Sequence, residues 1–156
     1  MLVDLDWIVE RYYDFKTVIK YDKNHIIRMK YYTFGGVKHG KYLEWSDNGM
    51  LYIKCFYKDG MICGIYRSYF YCGDLYMQGE FENGKMYGVW KRWYPNGQLN
   101  QKCVYIDGKL NGVCEWWHYN GVMSKRYCYI NNIMHGEYEE WDVKGNVIKD
   151  LEDIQD

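Results

Sequence analysis

Residues 88–111 read GVWKRWYPNGQLNQKCVYIDGKLN, and the chain writes this stretch several times over. Gly40, Gly64, Gly88, Gly112 and Gly136 fall 24 residues apart. Gly49, Gly73, Gly97, Gly121 and Gly145 keep the same step, each nine residues after its opening glycine. A third series, Gly60, Gly84 and Gly108, is continued in phase by Asn132. A fixed period of this size belongs to repeat architectures, in which one supersecondary unit cannot bury its apolar face alone and stacks against the next copy.

Within a copy the residues are those of a β-meander. Asn48-Gly49, Asn96-Gly97 and Asn120-Gly121 read as type I′ hairpin turns, which need positive φ at both central residues. Asp59-Gly60, Asn83-Gly84 and Asp107-Gly108 supply a second turn in the same way. Two turns per copy leave two strands of about 6–9 residues, an ordinary strand length. The second strand alternates: Leu51, Ile53, Cys55 and Tyr57 share one face, with Lys54 and Lys58 turned to water. In the first strand the recurrent aromatics stand three apart: Tyr42 and Trp45, Tyr66 and Tyr69, Trp90 and Trp93, Tyr138 and Trp141. A bulge across Leu43-Glu44, Arg67-Ser68, Lys91-Arg92 and Glu139-Glu140 would bring both aromatics to one face and curl the sheet into a ring-lined trough.

The expected organisation is all-β: an elongated, single-layer antiparallel β-meander solenoid with a short N-terminal helical cap. Leu2, Leu5, Val9, Tyr12 and Tyr13 fall at helical steps, so residues 1–15 are read as that cap, covering an exposed strand edge. Residues 16–39 form a decayed copy, in which Asn24-His25 stands where Asn48-Gly49 stands one period later. Clear copies follow at 40–63, 64–87, 88–111 and 112–135, a partial one at 136–148, and an acidic tail at 149–156.

Composition narrows the function classes. Twenty basic and 21 acidic residues leave a net charge of −1, so no general attraction to nucleic acid or anionic lipid is expected. No apolar run approaches the ~18 residues of a membrane-spanning helix. The opening MLVDLDWIVE lacks a basic lead and is a poor signal peptide, so an intracellular, soluble protein is expected. Cys55 and Cys103 occupy the same site two copies apart, roughly 19 Å at two ~4.8 Å strands per copy, too far to bridge. No CxxC occurs, and the six cysteines read as reduced packing residues.

These copies resemble the variant form of the MORN repeat: an opening Gly, aromatics two and five residues on, an Asn-Gly turn, a Leu, then Tyr-x-Asp/Asn-Gly. Gly88-Val-Trp-Lys-Arg-Trp-Tyr-Pro-Asn-Gly-Gln-Leu matches closely, and the resemblance covers residues 40–148, more loosely 16–148. It departs at Lys16, at Cys114 where an aromatic is usual, and at Asn132, whose tolerance of positive φ makes that change mild. The resemblance implies antiparallel hairpins in one layer and non-catalytic work: scaffolding, protein–protein contact, sometimes self-association, with lipid binding proposed and disputed. Similar arrays occur in bacterial antitoxin-like proteins and in large DNA viruses, which would place this chain in a host cytoplasm or a virion.

A one-dimensional stack also disperses catalytic groups. His39 and His135 occupy equivalent sites four copies apart, roughly 38 Å. No nucleophile triad, phosphate loop or metalloprotease motif is present, so no catalytic residue, cofactor or metal is expected. Lys91-Arg92, Lys102, Lys125 and Arg126 interleave with tryptophans as in a nucleic-acid platform, but those tryptophans are already needed for packing. What exceeds the repeat pattern is an aromatic ridge just before the middle Asn-Gly turns: Phe70 and Tyr71, Tyr94, then Trp116, His118 and Tyr119. Exposed together, such residues would form a protein-binding surface. The expectation is a scaffold or adaptor acting through that ridge. Self-assembly through terminal strands or the N-terminal segment, and an antitoxin-like inhibitor masking one protein, are the alternatives.

Overall fold

The computed structural model describes residues 14–136 and 138–150, with side chains to residue 148. It is one antiparallel sheet in which sequence neighbours are spatial neighbours. The decayed copy supplies β1 (Phe15–Tyr21) and β2 (Ile27–Phe34). Then come β3 (Val37–Trp45) with β4 (Leu51–Lys58), β5 (Met61–Tyr69) with β6 (Leu75–Glu82), and β7 (Lys85–Trp93) with β8 (Leu99–Ile106). β9 (Lys109–Leu110) ends the third copy, and the fourth opens with β10 (Gly112–Trp117) and β11 (Met123–Ile130). The last strands are β12 (Ile133–Met134), β13 (Glu139–Trp141) and β14 (Val147–Asp150). β9 and β10 are two pieces of one rung, parted at Asn111, whose N–H still donates to Val104 O at 2.9 Å. No helix occurs among the described residues. The helical cap expected over residues 1–15 falls almost wholly outside them, and Phe15 already opens β1. At the other end β14 runs through Lys149 to Asp150, so the first residues of the expected tail are strand.

The two turns of each copy differ, which corrects the type I′ reading of Asn-Gly. Gly49 N donates to Ser46 O and Ser46 N to Met50 O, both at 2.9 Å, and only Gly49 has positive φ. This is a type I turn followed by one left-handed residue, a three-residue hairpin loop with a bulge. His25 takes the same place in the decayed copy with φ 62°. At the other edge Asp59 and Gly60 both have positive φ, 50° and 81°, giving the two-residue type I′ turn.

The bulges also differ from expectation. Tyr42, Leu43 and Glu44 pair regularly with Cys55, Lys54 and Ile53, so no bulge crosses Leu43-Glu44. One extra residue lies instead on the facing strand, where Glu44 pairs Ile53 and Trp45 pairs Leu51. A second irregularity falls at the opening glycine. Lys54 pairs Arg67 and Phe56 pairs Cys63, so between these pairs one residue of β4, Cys55, faces three of β5, with Gly64 at φ 65°. The first strand therefore alternates regularly, and Tyr42 and Trp45 point to opposite faces. None of Trp45, Tyr69, Trp93 and Trp117 makes a ring contact with the row that contains Tyr42.

That row is the core. Tyr31 stacks on Tyr42 at 5.9 Å, Tyr66 meets Trp90 at 5.8 Å, and Tyr127 meets Tyr138 edge-on at 5.3 Å. Small residues are set between the rings: Cys55 opposite Tyr42, Gly79 opposite Tyr66, Cys103 opposite Trp90. The buried hydrophobic residues among those described are few and lie here: Tyr42, Cys55, Trp90, Cys103 and Cys114. A single sheet has no second layer, so aromatic rings laid flat along it do the burying.

Candidate interaction surface

Three local devices hold the rim of Asn-Gly turns. The first is an asparagine ladder. Asn48 Nδ2 donates to Tyr71 O at 2.8 Å, Asn96 Nδ2 to Tyr119 O at 2.9 Å, and Asn120 Nδ2 to Val143 O at 2.7 Å. Each asparagine also accepts, through Oδ1, the backbone N–H two residues on: Met50, Gln98 and Val122 respectively. Cys72 stands at this place in the second copy, and its thiol turns to Asp74 Oδ2 instead. The second device ties the turn bases of the third and fourth copies to the copy that follows. Tyr94 Oη donates to Trp117 O and His118 Nε2 to Trp141 O, both at 2.8 Å. The third is a carboxylate cap at each end. Asp22 accepts from the N–H groups of Ile26 and Asn24, and Asp142 from the Asn146 side chain and the N–H groups of Asn146 and Lys144. These bonds hold both carboxyls below the usual range, Asp22 chiefly through Ile26 and Asp142 chiefly through the Asn146 side chain.

The six ridge residues therefore do different work. Phe70 packs edge-on against Tyr76 at 5.0 Å, and Tyr94 against Tyr119 at 5.2 Å. Trp116, expected on the outward side, lies at 5.4 Å from Tyr127, a member of the core row. His118 is half-buried and bonded to the next copy. Only Tyr71 and Tyr119 are well exposed, at 67% and 58%. They occupy equivalent turn tips two copies apart, with exposed Pro95 between them and exposed Val143 beyond.

The repeats at residues 38–59, 86–107 and 110–131 match the family model for the MORN repeat variant. The chain carries MORN repeats of the variant form. No curated protein matches it. Among solved structures the MORN chain is similar to a mutant of S. aureus TarM in complex with fondaparinux, alpha-GlcNAc-glycerol and UDP. Identity there is 11%, over 83% of this chain and 22% of that one, with a TM-score of 0.41. It is also similar to TarM at 13% identity, over 84% of this chain and 22% of that one, with a TM-score of 0.33. The chain thus spans less than a quarter of either relative's length, and at these scores the likeness carries no argument.

Several functional features of the MORN array escape a motif search. Lys38 Nζ sits 4.8 Å from the ring centres of Tyr42 and Tyr57 and 5.3 Å from Tyr31, a cation held among three rings. Burial raises the phenols of Tyr42, Tyr57, Tyr66 and Tyr105, and it pushes the Cys55 thiol up to about 11. Cys103 and Cys114, fully buried on adjacent strands, lie opposite each other by the register of Lys102 with Glu115. The neighbouring Cys114 thiol, together with burial, raises the Cys103 thiol above the ordinary thiol range. Cys103 and Cys114 hold different positions within their copies, so the distance between equivalent cysteines does not reveal this neighbour pair. Among the described residues no three His, Cys, Asp or Glu side chains converge to hold a metal. No helix there is long and apolar enough to cross a membrane.

Proposed function

We propose that this MORN-repeat protein is a non-enzymatic scaffold or adaptor that captures a protein partner along its Asn-Gly rim. One observation carries the reading: Tyr71 and Tyr119 stay exposed on turns whose every other side chain is tied to a neighbouring copy or to its own loop. Rings presented on rigid turns lose little freedom on binding, and tyrosine is a favoured anchor residue. Pro95 and Val143 extend the apolar edge between and beyond them.

The test separates anchor from clamp. Tyr71→Ser with Tyr119→Ser should abolish partner capture from the native source and leave the melting curve nearly unchanged. Tyr94→Phe should do the reverse, weakening the fold by about 1 kcal/mol through loss of the Trp117 bond. Unchanged capture by the double serine variant would refute the rim as the binding site.

Self-association is favoured by a separate observation. Neither β1 nor β14 has a second partner strand among the described residues, and Val147 and Ile148 on β14 are exposed. Open edges of this kind template pairing with another chain. Light scattering decides it, since a mass independent of concentration would remove this reading.

A further inference from the structure

The face opposite the ring row carries an unbroken line of cross-strand neighbours. Lys30 pairs Leu43, Leu43 pairs Lys54, and Lys54 pairs Arg67. Arg67 pairs Gln78, Gln78 pairs Lys91, and Lys91 pairs Lys102. Five cations thus stand in one row from β2 to β8, and no carboxylate interrupts them. Twice the row sets like charges directly opposite, at Lys54 with Arg67 and at Lys91 with Lys102, an arrangement that destabilises a sheet.

The same row behaves differently past β8. Glu115 faces Lys102 at 2.9 Å, and Arg126 faces Glu139 at 3.8 Å, so signs alternate and the charges are paired. Lys30, Lys54, Arg67 and Lys91 form no salt bridge among the described residues. One repeat lattice therefore offers a neutralised half and a half left cationic. Packing does not require the difference, since both halves use the same backbone pairs.

Beside the cations, one residue pair nearer the Asp-Gly turns, runs an apolar line on the same face. Lys41 pairs Phe56, Glu80 pairs Tyr87, and Val89 pairs Val104. Phe56, Ile65, Tyr87 and Val89 are each more than two-fifths exposed. Glu80 stands within this line, between Ile65 and Tyr87, and Glu82 lies beyond it opposite Lys85.

We infer that the face across β2–β8 is a second docking surface, for an acidic protein segment that carries apolar side chains beside its carboxylates. Charge complementarity supplies the first half of that chemistry, the exposed apolar line the second. A single-stranded nucleic acid would meet the same cations, but it needs successive exposed aromatic faces for its bases, and Trp45, Tyr69 and Trp93, which share this face, are all half-buried. The net charge of −1 opposes a polyanion elsewhere on the molecule.

The experiment measures fluorescence anisotropy of the full chain with a labelled dodecapeptide of alternating glutamate and isoleucine. Saturable binding is expected, weakened at least tenfold between 50 and 300 mM salt, a range over which surface charge pairs are progressively screened. Peptides of alternating serine and isoleucine, or glutamate and glycine, should each bind at least tenfold less tightly. The double variant Lys54→Glu, Lys91→Glu should abolish binding, and since it turns both like-charge pairs into opposite-charge pairs its melting point should not fall. Lys91→Glu alone should weaken binding at least threefold, which keeps the test intact if the double variant does not fold. Lys125→Glu, on the ring-row face, should leave binding unchanged. Equal or tighter binding of a twelve-residue oligothymidylate or of phosphatidylserine vesicles would overturn the inference. So would undiminished peptide binding by the charge-reversed chain, or no peptide binding at all.

Discussion

Gly79 is the position at which the packing can be tested most sharply. A methyl group there would lie 2.1 Å from Trp90 Cδ2, 2.3 Å from Cε2 and 2.6 Å from Cγ. Its φ is not in the left-handed region, so the constraint is steric rather than conformational. Ordinary carbon contacts are about 3.5–4.0 Å, so Gly79→Ala must drive the indole back by roughly 1.4 Å or more. Trp90 cannot yield freely. It is 4% exposed, its Nε1–H donates to Glu80 O at 3.1 Å, and Phe81 meets it edge-on at 5.0 Å. Losing that hydrogen bond costs about 1 kcal/mol, and overpacking a tight core costs about 1–3 kcal/mol. The expected loss is roughly 3 kcal/mol, or a fall in melting temperature of roughly 6–12 °C for a chain of this length. Guanidinium unfolding followed by tryptophan fluorescence measures it. A second variant isolates the cause. Gly79→Cys with Trp90→Tyr rebuilds the arrangement of the first clear copy, where Cys55 lies between Tyr42 and Tyr66. The pair should therefore recover at least half of what Gly79→Cys loses alone, a coupling above about 1 kcal/mol. Gly79→Ala within about 0.5 kcal/mol of the parent, or strict additivity in the pair, would refute the reasoning.

Three further outcomes follow from the rim and the core. Cys72→Asn should complete the asparagine ladder between the second and third copies, raising stability by about 0.5–1.5 kcal/mol; an unchanged or lower melting temperature counts against the ladder. Asp22 and Asp142 have depressed carboxyl pKa values, so their stabilisation is full above the ordinary value near 3.9 and is lost as pH falls below it. Hydrogen exchange, corrected for intrinsic rates, should show the first and last Asn-Gly-type turns losing protection at about pH 2.5 while residues 94–98 keep theirs, with Asp142→Asn reproducing the loss at neutral pH. Native thiols should react in order of access: Cys72 first, with Cys55, Cys103 and Cys114 labelled only on unfolding, so prompt labelling of all six would contradict the buried row.

Much of this was legible because glycine and its neighbours encode bends directly. Asp59-Gly60 and its equivalents lie at type I′ turns, and the alternation of Ile53, Cys55 and Tyr57 is the regular part of β4. The bulge was not legible, since an extra residue is defined by what the facing strand does. Tyr42 and Trp45 looked mismatched only if both had to face one core. The strand stays regular, Trp45 goes to the other face, and the irregularity moves to the opening glycine and to Leu51–Ile53. The exposure of the ridge was hidden for a similar reason. Phe70, Tyr94 and His118 occupy one repeat position and Tyr71 and Tyr119 the next, but only the folded sheet shows that Tyr94 and His118 clamp the following copy, that Phe70 packs on Tyr76, and that the second set are tips.

Cys114 shows what a copy-by-copy comparison loses and a register restores. Against the repeat pattern it is a missing aromatic, a weakened fourth copy. In the sheet it pairs Tyr127, a position that is Cys55, Gly79 and Cys103 in the three copies before it. The large and small partners have changed places. The decayed copy does the same, with Val18 paired to Tyr31. Each rung therefore keeps one ring and one small residue, whichever strand supplies the ring, because a single layer has room for one flat aromatic per cross-strand pair and leaves a void if it receives none. Tyr127 uses its place to meet Trp116, Tyr129 and Tyr138, and its hydroxyl donates to Glu140. Cys114→Tyr, which would make the fourth copy conform to the pattern, should on this argument crowd Tyr127 and Cys103 and destabilise the sheet by about 1–3 kcal/mol. Cys114→Tyr with Tyr127→Cys should restore the order found in the first clear copy and recover most of that loss. A stabilising Cys114→Tyr would show that the consensus residue, and not the volume shared across the rung, governs the core.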